Sequence, residues 1–130
     1  MEEAIDPRDS WVRARAECSV QAAFNRLKLQ IQDDVHQRKA LRSSSESERL
    51  NFNLVSNGKS FTVGRVEQNS HKSLTFIMTE RGVSVIDDHD KPIIEGTVTL
   101  GDDGQCRLKV SGRDLEFWQF RRAALEELFF

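Results

Sequence analysis

Carboxylates crowd an imidazole at Asp87-Asp88-His89-Asp90, a mixture of oxygen and nitrogen donors that could hold a divalent cation. Short acidic side chains are also common in turns, where they bond the local backbone, and Lys91-Pro92 follows directly. The run lacks the glycine and the terminal glutamate of an EF-hand loop, so it reads as a turn, and no metal or other cofactor is assigned. Nucleophilic catalysis needs a nucleophile, a base and a group that orients the base. The histidines are His36, His71 and His89; all three read as exposed, with His71 in a turn at Asn69-Ser70-His71-Lys72. Cys18 and Cys106 lie far apart in unlike contexts and read as two small core residues without a disulfide. The sequence holds no nucleophile elbow, phosphate-cradling glycine loop, zinc-protease helix or dinucleotide fingerprint. No catalytic residue is assigned.

The elements that would position any site change character along the chain. Asp6-Pro7-Arg8-Asp9 resembles a helix start, and no Gly or Pro interrupts Trp11 to Val35. Val20, Phe24, Leu27, Ile31 and Val35 form one apolar stripe; Trp11, Cys18, Ala22 and Leu29 form a second, more than a quarter turn away. One helix over 6–40 is expected. At about 30 residues it would be roughly 45 Å long and overhang strands of about 23 Å. A Ser-rich connection at 43–48 leads to a period of two over 50–110, with turns at Asn57-Gly58, Arg81-Gly82, 87–92 and Asp102-Asp103-Gly104. About six short antiparallel strands follow, most simply as a meander. One face is apolar; the other carries Asn53, Thr62, Thr75, Ile77, Thr97, Thr99 and Lys109. Asp114 would cap a second helix over 114–129. Phe117, Phe120, Ala124 and Leu128 take one half of its apolar arc, and Leu115, Trp118, Leu125 and Phe129 the other. The expected fold is α+β: a single domain over 1–130, with a long N-terminal helix and a C-terminal helix side by side on one face of an antiparallel meander.

Charge and composition narrow the function classes. Nineteen Lys and Arg oppose 21 Asp and Glu, for a net charge of −2, so no field favours a polyanion. The strand aromatics Phe52, Phe61 and Phe76 fall in the inward phase, and there is no Tyr to offer a base an exposed ring. Nucleic acid and membrane are therefore not expected as partners. The acidic start, the two cysteines read as thiols and the lack of a long apolar run suggest a soluble, cytoplasmic protein. The surplus apolar surface of the helices, at Trp11, Leu29, Trp118, Leu125, Phe129 and Phe130, suggests a binding or assembly module that forms a homodimer or holds a protein partner. The rival is a small enzyme or ligand-binding domain with its site at the acidic turn or on the polar sheet face, around Thr62, Thr75, Thr97 and Thr99.

Overall fold

The computed structural model describes residues 10–42 and 49–130. Alternation of apolar and polar residues builds a seven-stranded antiparallel sheet in sequence order: β1 (Asn51–Asn57), β2 (Ser60–Glu67), β3 (Ser70–Met78), β4 (Gly82–Asp87), β5 (Pro92–Leu100), β6 (Cys106–Val110) and β7 (Arg113–Leu115). Three helices accompany it: α1 (Trp11–Glu17), α2 (Val20–Ala40) and α3 (Phe117–Phe129). This is the expected α+β meander with one more strand. Register puts Phe52, Phe61, Phe76 and Val85 on the helix side, all fully buried, and pairs Thr62 with Thr75 and Thr97 with Lys109 on the other. The rings of Phe61 and Phe76 stack at 4.8 Å, and Phe24 of α2 tilts against Phe61 at 5.2 Å.

The long helix departs from expectation. Its described part breaks at Cys18-Ser19, where Ser19 caps α2 by accepting the Ala22 N–H at 3.1 Å. The break brings Cys18 to β6, where it forms a disulfide with Cys106 across a Cα separation of 5.3 Å. The reading of two unpaired thiols is thereby corrected; nothing in the spacing of two cysteines 88 positions apart signals that a helix break will bring them together. From there α2 crosses the sheet diagonally: Phe24 meets β2, and Arg38 lies over the Phe52 ring of β1. A diagonal path gives a helix that buries Ala23 to Arg38 room that a path along one strand would not. The cap expected at Asp6-Pro7 and the connection at 43–48 lie outside the described residues.

Two turns also move. β2 and β3 are joined at Gln68-Asn69, so His71 sits on β3 opposite Val66 rather than in the turn. Ser111 and Gly112 both take positive φ, 50° and 82°, the pairing that closes a tight hairpin and creates β7. The last helix therefore starts later than Asp114. Glu116 caps it, its side chain and that of Gln119 exchanging bonds with each other's backbone N–H groups.

Candidate functional site

Packing of α2 against α3 creates an apolar concavity on the helix layer. The two helices run in the same direction. The Arg26 guanidinium lies 5.3 Å over the Phe117 ring, Arg121 Nη1 donates to the Gln30 carbonyl at 3.4 Å, and Arg38 Nε donates to the Phe129 carbonyl at 2.7 Å. The same offset of 91 positions recurs at all three points, so the helices stay in step from end to end. Arg121 spans them, with Nη1 3.0 Å from both carboxylate oxygens of Asp34. Burial pushes the Asp34 carboxyl above its ordinary pKa, and the attraction of Arg121 offsets this in part.

The far end is fastened by two arginines. Arg38 is almost fully buried, its guanidinium 4.8 Å from the rings of both Phe52 and Phe130. Arg65 of β2 donates to the Leu128 carbonyl at 3.0 Å. The last carbonyls of α3, at its negative end, thus meet two cations. Sequence reasoning missed both residues. The available signal was phase: Arg65 continues the inward positions Phe61 and Val63, and Arg38 follows Val35 by three residues on the buried stripe.

Above this scaffold lies a groove of about 420 Å³, with Leu125 and Phe129 in its floor and Leu41, Trp118 and Phe130 on its walls. Leu41 is 71 % exposed, Trp118 50 % and Phe130 83 %. Trp118 is held by its indole N–H, which donates to Glu116 Oε2 at 2.6 Å. Of the six residues expected to form an apolar contact surface, the structure brings Trp118, Leu125, Phe129 and Phe130 together, with Leu125 and Phe129 buried beneath the other two. Trp11 and Leu29 stand elsewhere. Trp11 begins α1, which buries no residue, and Leu29 is flanked along α2 by Asn25, Arg26, Gln32 and Asp33. The second stripe of the expected long helix is therefore not continuous.

The other candidate chemistry resolves into structure. Asp87 Oδ1 accepts the N–H groups of His89 at 2.8 Å and Lys91 at 2.9 Å, which fixes the turn and holds its carboxyl below the usual range. His71 and His89 line one cleft with Asp87, Asp88 and Glu127, yet among the described residues no three metal-ligating side chains converge. On the polar face, the hydroxyls of Thr62 and Thr75 bond each other at 3.0 Å. Thr97 lines a shallow depression with Lys109, while the Thr99 hydroxyl faces the Arg107 carbonyl. Both cysteines are consumed by the disulfide, which leaves neither as a thiolate nucleophile. Among the described residues no helix is long and apolar enough to cross a membrane. No family model matches the chain, and no curated protein or solved structure matches it either.

Proposed function

We propose that this protein is an interaction module whose α2–α3 groove receives apolar side chains of a partner polypeptide. The observation that carries the reading is the cluster of Leu41, Trp118 and Phe130, three large side chains held at least half exposed around a floor that is itself core. A tryptophan whose N–H is already bonded, set beside arginines, presents a stiff amphipathic contact of the type that dominates binding interfaces. Mixed charge at the rim, from Arg122 and Glu126 paired at 3.6 Å, favours neither an acidic nor a basic partner, so selectivity would come from apolar fit. The disulfide supports folding in an oxidising compartment, where such bonds persist, over the cytoplasmic placement inferred from two thiols.

The test is selection from a random-peptide display library, followed by amide-shift mapping. Aromatic or aliphatic peptides should perturb Gln37 to Leu41 and Trp118 to Phe130. Leu41→Asp and Trp118→Ala should weaken them about tenfold or more without lowering the melting temperature. Peptides that map elsewhere, or that bind both variants unchanged, would refute the groove.

A further inference from the structure

The sheet ends differently at its two sides. β7 has three residues, two of them charged, and leads directly into α3. Short length and charge are the usual means by which an edge strand is kept from pairing with another chain. β1 has neither. Its seven residues, Asn-Phe-Asn-Leu-Val-Ser-Asn, include no charge and no proline, and all seven pair with β2 in unbroken register without a bulge. Among the described residues β1 has no second neighbour. The absence of charge extends inward from this edge. On β1 to β4 the side facing away from the helices carries no Asp, Glu, Lys or Arg, in a chain that is 31 % charged, and its one titratable side chain is His71, opposite Val66.

The hairpin fixes which backbone groups of β1 are free. Asn57 and Ser60 close a two-residue loop, so they form a hydrogen-bonded pair, and by alternation Val55, Asn53 and Asn51 also bond β2. The N–H and C=O groups of Phe52, Leu54 and Ser56 then point outward. A two-fold axis at Leu54 would set Leu54 opposite the partner copy's own Leu54, Phe52 opposite its Ser56 and Ser56 opposite its Phe52. Every outward donor and acceptor of one copy would meet its counterpart on the other. Outside these, Asn53 would lie opposite Val55 and Asn51 opposite Asn57, with no charge opposed anywhere along the strand.

From this self-complementarity the geometry points to a homodimer formed by antiparallel pairing of β1 with β1 of a second copy, joining the two sheets into one. It moves the self-association expected of the helices to the β1 edge of the sheet, and it does not depend on the α2–α3 groove.

Sedimentation across the micromolar range should show the 14.9 kDa chain doubling in mass. Amides of Phe52, Leu54 and Ser56 should become protected from exchange as the dimer forms, while those of Asn53 and Val55 are protected throughout. Ser56→Pro removes an outward donor at an exposed position near the strand end, and Val55→Lys places like charges near the axis while remaining on a solvent face. Each should weaken association about tenfold or more with a melting temperature unchanged at low concentration. A monomer throughout, rapid exchange at Phe52, Leu54 and Ser56 in the dimer, or a dimer indifferent to both substitutions would overturn the proposal. Trp118→Ala, which disables the groove, should leave the dimer intact.

Discussion

At the scale of single residues, two positions decide how α3 sits on the sheet, and neither advertises itself in sequence. Gly96 on β5 faces the helices, and a Cβ there would lie 2.9 Å from Phe120 Cε2 and 3.1 Å from Leu108 Cβ. Gly96→Ala should therefore cost about 1–3 kcal/mol through overpacking, read from urea denaturation. Phe120→Leu in the same chain should recover part of the loss, because the ring is what the methyl displaces. Arg38 is the second position. Arg38→Met keeps the stem but forfeits the bond to the Phe129 carbonyl and the contact with two rings, and should cost about 2–3 kcal/mol. A loss within experimental error would mean that the α3 terminus is held by Arg65 alone. Phe52, Phe61 and Phe76 were legible as core because alternation is a property of neighbours in sequence. Arg38 and Arg65 were not, since a charge in an inward phase finds its acceptor only after a distant helix arrives.

At the scale of elements, β1 to β6 were legible, whereas β7 and the helix boundaries were not. Gly58, with a φ of 65° between β1 and β2, acts on adjacent backbone, so its effect can be read locally, whereas Gly82, expected in a turn, begins β4 and the connection falls at 79–81. The break at Cys18-Ser19 involves no Gly or Pro. It rests on a serine able to cap and on a disulfide whose second half comes from β6. Because α1 buries no residue of its own, this bond is the main anchor of the N-terminal helical turns. Reduction should lower stability by about 4–5 kcal/mol in the chain-entropy limit for so long a loop. Thermal unfolding with and without dithiothreitol measures it, and Cys18→Ala/Cys106→Ala should reproduce the reduced curve. An unchanged midpoint on reduction would show that the bond contributes nothing to holding the fold.

At the scale of the whole molecule, the near balance of 19 basic and 21 acidic residues conceals carboxylates whose acidities move in opposite directions. Asp103 is pushed down to about 2, first by its bonds from Arg107 at 2.6 and 2.9 Å and then by the Gln105 N–H; Asp87 is lowered by the backbone of its turn. For these two the unfolded chain takes up protons first as pH falls. Their stabilisation is present above the ordinary carboxylate value of 3.8 and is lost between there and about 2 for Asp103. Asp34 is raised by burial, so the folded chain takes up its proton first. Its contribution has the reverse sign: stability is gained as pH falls through its folded value above 3.8 and is not lost again below the unfolded one. Urea midpoints measured from pH 7 downward should thus hold steady or rise slightly toward pH 4, then fall steeply below it. Asp34→Asn should abolish any rise while leaving the fall, and Asp103→Asn should soften the fall. A stability that declines continuously from pH 7 would contradict both assignments.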